Sequence, residues 1–96
     1  MPTYVVLYKF TDQGAKNITS TVDRARESQA ENEKRGFKIK GLYWTQGRYD
    51  LIAVVDSPDE DSMMAGLFSI AEAGNARSET LRAFTGEEVA RALQKL

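Results

Sequence analysis

Apolar side chains recur with two different periods along this chain, and each change of period marks a new element. From Tyr4 to Phe10 valine, leucine and tyrosine run almost unbroken and then meet the turn-forming Thr11-Asp12-Gln13-Gly14, which predicts a first strand. From Ala15 to Arg35 the residues are polar and helix-compatible, with Ile18, Val22, Ala25 and Gln29 at helical spacing. A long helix with a thin apolar stripe is expected there, ended by Gly36. Phe37 to Thr45 and Tyr49 to Asp56 are rich in strand formers, and Gln46-Gly47-Arg48 between them makes a hairpin loop. Ser57-Pro58-Asp59-Glu60 reads as a helix start with Ser57 as the cap; Met63, Leu67, Ile70 and Ala71 form its core stripe, widened by Met64 and Phe68, and Gly74-Asn75 stops it. Arg77 to Thr85 predicts a fourth strand. Thr85-Gly86-Glu87-Glu88 is a capping box that opens a C-terminal helix with Val89, Leu93 and Leu96 on one side.

The order β-α-β-β-α-β plus a terminal helix over residues 1–96 is a single domain of the split βαβ type, class α+β. Right-handed crossovers put both main helices on one face of a four-stranded antiparallel sheet and leave the other face open. A three-residue hairpin loop would set Trp44 opposite Asp50, Leu42 opposite Ile52 and Lys40 opposite Val54. On that register Lys40, Leu42, Trp44, Asp50, Ile52 and Val54 occupy the open face, and Ile39, Gly41, Tyr43, Leu51, Ala53 and Val55 face the helices. Tyr4, Val6, Tyr8 and Phe10 from the first strand and Thr80, Arg82 and Phe84 from the fourth are assigned to the open face as well. So large an apolar patch is more than a soluble monomer leaves uncovered. A homodimer or higher homo-oligomer with sheets face to face would cover it and enclose a cavity. Lys40, Tyr8, Trp44, Asp50 and Arg82 would line that cavity, with Asp50 and Arg82 as an ion pair and Trp44 buried beside Asp50.

Composition narrows the chemistry. The 96 residues contain no His and no Cys, which removes disulfides, a thiolate nucleophile, the commonest general base and the commonest zinc and haem ligands. No cofactor and no metal site is expected. Asp59-Glu60-Asp61 suits a first helical turn better than a metal, because the helix dipole favours carboxylates there. A formal net charge of −1 supplies no cationic field for nucleic acid or anionic lipid, even though Tyr4 and Tyr8 could form a stacking platform. Lys34, Arg35, Lys38 and Lys40 form a basic cluster where a helix C-terminus attracts cations in any case. Asn17-Ile18-Thr19 matches a glycosylation pattern only by accident inside a helix. With no signal-like start and no long apolar run, a cytoplasmic protein with neither membrane nor nucleic-acid partners is expected.

The stretch Tyr43-Trp44-Thr45-Gln46-Gly47-Arg48-Tyr49-Asp50 resembles the hairpin signature of the GYD domain family. The likeness extends to Tyr4-Val5-Val6-Leu7, to Thr11-Asp12-Gln13-Gly14 with Lys16-Asn17-Ile18, and to the run from Gly74 to Phe84. It implies a ferredoxin-like domain of the dimeric α/β-barrel group. At the level of the fold that group includes cofactor-free monooxygenases, isomerases, haem enzymes and ligand-sensing modules, so no single activity follows. The function expected first is a homo-oligomeric module that binds a small molecule in the cavity, with Trp44 and Tyr8 stacking on it, Arg82 or Lys40 meeting a negative group, and Tyr49 and Asp50 nearby. The alternatives are a cofactor-independent enzyme using Asp50 with Tyr8 or Tyr49, and a purely structural assembly unit.

Overall fold

Alternating strands and helices follow one another along residues 1–96, all of which the computed structural model describes: β1 (Thr3–Phe10), α1 (Asp12–Lys16), a single 3-10 turn (Ile18–Ser20), α2 (Thr21–Lys34), β2 (Lys38–Trp44), β3 (Leu51–Asp56), α3 (Glu60–Ala73), β4 (Ala76–Ala83) and α4 (Gly86–Leu93). The four strands form one antiparallel sheet in the order β2-β3-β1-β4, the ferredoxin-like arrangement expected from the element order. Val6, Phe37, Ala53, Val55 and Met63 make the core between the sheet and α3.

Two helix starts differ from the sequence expectation. The first helix starts early, at Asp12, where the Thr11 hydroxyl caps it by accepting from the Gly14 N–H at 3.2 Å inside the cluster expected to turn, and it is broken at Asn17; its start is tied to the end of α3. There Thr11 donates its N–H to the Asn75 carbonyl (3.1 Å) and its hydroxyl to the Gly74 carbonyl (2.6 Å). Gly14 lies so close to this junction that a Cβ would sit 2.1 Å from the Asn75 carbonyl oxygen. Helix α3 is capped by Asp59, whose Oδ1 accepts from the Ser62 N–H at 2.6 Å, and not by Ser57. Ser57 is fully buried and its hydroxyl instead donates to the Asp59 carbonyl at 2.6 Å, which shapes the approach to the helix. Gly74, at φ 79°, ends α3 in the left-handed conformation. The Thr85–Glu88 capping box forms as its sequence predicts.

The faces of the sheet required the larger correction. Thr45 donates its N–H to the Asp50 carbonyl at 2.9 Å, so the hairpin loop holds four residues between that pair instead of three. Trp44 therefore pairs with Leu51 and Leu42 with Ala53, while a bulge between Ile39 and Gly41 accommodates Lys40. One added loop residue moves Leu42 and Trp44 to the helix side and Gly41 and Tyr43 to the open side. Tyr4, Val6, Tyr8 and Phe10 also belong to the helix side, through Val55, Ala53 and Leu51, and so do their β4 partners Arg82, Thr80, Ser78 and Ala76. Ile52 and Val54 outward and Ala53 and Val55 inward agree with the expectation. In β1 the polar ends Thr3 and Lys9 share parity with Val5 and Leu7, and placing Tyr4, Val6, Tyr8 and Phe10 inward turns those polar ends to the open side.

Helix α4 points away from the body of the domain. Its apolar side is left in solvent, with Val89 46% and Leu93 57% exposed, and the molecule measures 49 × 30 × 19 Å.

Candidate functional site

The six side chains expected to share a cavity are distributed over the molecule. Tyr8 faces the helices, and Trp44, at their edge, donates its indole N–H to Thr21 of α2 at 3.2 Å. Asp50 belongs to the hairpin loop, where its Oδ2 accepts from the Phe10 N–H at 2.8 Å and so terminates β1. Arg82 pairs with Glu88 of α4 at 3.8 Å, lies over the Tyr4 and Phe84 rings at 5.6 and 4.4 Å, and donates to the Thr3 carbonyl at 3.2 Å. Arg82 is opposite Tyr4 while Asp50 bonds Tyr8, four residues on, which is about 13 Å along an extended strand. The expected Asp50–Arg82 ion pair is therefore absent, and so is the expected burial of Trp44 beside Asp50, since Trp44 is 41% exposed.

Lys40 and Tyr49 do lie on the open side, at opposite ends. Lys40 is 3.6 Å from Asp56, and Asp56 also accepts the Thr3 hydroxyl at 2.5 Å. That hydrogen bond, reinforced by the Lys40 charge, holds the Asp56 carboxyl below the usual range. Tyr49 donates its hydroxyl to Glu79, which raises its pKa because the neutral phenol is the form that can donate. Between these polar ends Val5, Leu7, Ile52, Val54 and Leu81 share the open face, and the Tyr43 ring covers Gly41.

On the opposite side of the sheet, a groove of about 280 Å³ opens between α2, α3 and the strands. Its floor is apolar, built from Tyr8, Phe10, Ile39, Leu42, Leu51, Ala53 and Val55, and Ile70 and Ala73 of α3 form one wall. The other wall is α2, which turns Thr21, Arg24, Ala25, Ser28, Gln29 and Asn32 toward the floor. A surface helix normally packs its apolar stripe inward. Here the inward stripe is polar or small, and Ile18 and Val22 stay more than 40% exposed. Short side chains on α2 therefore leave the groove unfilled. Of the predicted stripe, Ala25 and Gln29 do face inward, but Arg24, Ser28 and Asn32 were missed. Their positions, stepping by three or four residues from Thr21, were the available signal. Within the groove, burial pushes the Tyr8 phenol up to about 12, so at neutral pH it is a protonated hydroxyl and not a base.

A family model described as the GYD domain matches residues 4–93. A Thermus thermophilus protein named "Glutamine synthetase and cystathionine beta-lyase binding protein" is 31% identical over 84 residues, spanning 86% of this chain and 88% of that protein. No solved structure matches the chain. No helix is long and apolar enough to cross a membrane.

Proposed function

Because this chain belongs to the GYD domain family, and because α2 stands off the sheet with a polar face, we propose that it is a self-associating binding module that takes a small, largely apolar molecule in the α2–α3 groove. The observation that carries this is the pairing of an apolar floor with a hydrogen-bonding wall, the combination typical of small-molecule sites. Binding is favoured over catalysis by the state of the titratable groups. Asp50 already serves as a backbone acceptor, and Tyr8 holds its proton far above neutrality. Self-association is supported by the apolar strip on the open face, which no element of one chain covers. A panel of small molecules screened by thermal shift tests the groove. At least one compound should raise the melting temperature of the natural chain and fail to do so in Ala25→Trp, whose indole occupies the groove. No stabilising compound, or equal stabilisation of the variant, would refute this function.

Protein partners form a second class of ligand, favoured by the exposed Val89 and Leu93 on α4 and by the name of the Thermus thermophilus relative.

A further inference from the structure

The charge in the groove is one-sided. Among its lining residues Arg24 is the only ionisable group apart from the Tyr8 phenol, and no Asp or Glu lines it. Arg24 takes part in none of the three ion pairs of the chain, although Asp23 and Glu27 are close to it in sequence. Arg24 as a residue is half-buried, and its permanently charged side chain belongs to the wall that faces an apolar floor. A cation so placed is short of a counter-charge, and an oxyanion would supply one through two parallel N–H···O bonds.

Building on the groove as the binding site, we propose that its ligand is a small amphiphilic monocarboxylate, with its carboxylate on Arg24 and its apolar body along the floor formed by Tyr8, Leu42 and Leu51. A single guanidinium balances one negative charge, so a monoanion fits where a dianionic phosphate would leave a charge unmet. Ser28, one turn along the same stripe, accepts from the Asn32 amide (3.4 Å) and keeps its hydroxyl proton for that end, whereas the Gln29 amide donates to Glu33 (3.1 Å). The volume of about 280 Å³ limits the body to something like one aromatic ring with a short chain. The competing explanation is that the Arg24 stem only covers apolar surface while its head stays hydrated.

Calorimetric titration of the full chain with 4-phenylbutyrate and with 4-phenylbutan-1-ol separates these explanations, since the two probes share a body and differ in charge. The acid should bind about tenfold more tightly than the alcohol. In Arg24→Met, which keeps an apolar stem, that preference should shrink to less than about twofold. Both probes should lose binding in Ala25→Trp and in Ser28→Phe, two fillings of the groove from a solvent-facing helix, with circular dichroism confirming the fold. Equal affinity for acid and alcohol, or a preference that survives Arg24→Met, overturns the carboxylate assignment and leaves the groove standing. Failure of both probes at millimolar concentration, or binding that persists in both filled variants, overturns the groove and the carboxylate together.

Discussion

Tyr8 shows how a single side chain changes meaning with its face. On an open sheet it would be a stacking surface for a partner, but between the sheet and α2 it is a half-buried phenol with its pKa pushed to about 12. The consequence for stability has a definite sign. An unfolded tyrosine releases its proton at about pH 10, whereas the folded phenol keeps it to about 12, so between those values the unfolded state binds fewer protons and stability falls as pH rises. The slope from this one group is at most about 1.4 kcal/mol per pH unit. Tyr8→Phe should flatten the decline in urea midpoint between pH 10 and 12 relative to the natural chain. An unchanged decline would mean that Tyr8 is solvated. Asp50 reverses its expected role in the same way: the carboxylate meets the Phe10 N–H and not a guanidinium, so it stabilises the hairpin end by a charge-assisted hydrogen bond.

At the scale of elements, the junction between α1 and the end of α3 fixes where the first helix breaks. Thr11, Gly14, Gly74 and Asn75 bring two loops within hydrogen-bond distance, and Gln13 adds bonds to the Ala73 carbonyl (3.1 Å) and to the Asn75 side chain (3.0 Å). The approach needs a residue without a side chain at position 14, since a methyl group would collide with a carbonyl oxygen that is itself held in place. Gly14→Ala should cost about 2 to 3 kcal/mol, the upper range for forced overpacking, despite the better helix propensity of alanine. Chemical denaturation checks this, and a variant as stable as the natural chain would show that the junction yields easily. Helix α4 is the opposite case. Its capping box and the Arg82–Glu88 pair anchor only its first turn, and the rest projects with its apolar side free.

For the whole molecule, the two faces of the sheet divide the work. The helix side holds the core and the groove, and the open side presents Val5, Leu7, Ile52, Val54 and Leu81 between the Lys40–Asp56–Thr3 cluster and the Tyr49–Glu79 pair. If two copies meet through this strip, a charge at its centre should separate them at little cost to the single chain, where the position is already partly solvated. Leu7→Lys should convert a sedimenting dimer to a monomer at micromolar concentration and change the monomer melting temperature by only a few degrees. A natural chain that sediments as a monomer under the same conditions would rule out this interface.

Much of the fold was legible from local signals. The glycine after α3 and the Thr85–Glu88 box act within a few residues, and the Thr11–Gly14 cluster ends β1 although it does so by opening α1 and not as a turn, so element order and the ferredoxin-like topology follow from the chain alone. Family membership was legible too, because the hairpin sequence from Tyr43 to Asp50 carries it. The side each residue faces was not. β1 lies between β3 and β4 with apolar residues at both parities, so its pattern alone permits either orientation, and only the parity of Thr3 and Lys9 hinted at the answer. One more residue in the hairpin loop reversed β2 from Gly41 to Trp44, and the bulge at Lys40 returned Ile39 to the helix side. The groove had no signature of its own, since it arises from the spacing of α2 over strands far away in sequence, with short side chains where a packed helix would carry large ones. Local hydrogen bonding determined the elements; register and the fit between distant surfaces, which only tertiary packing settles, determined the site.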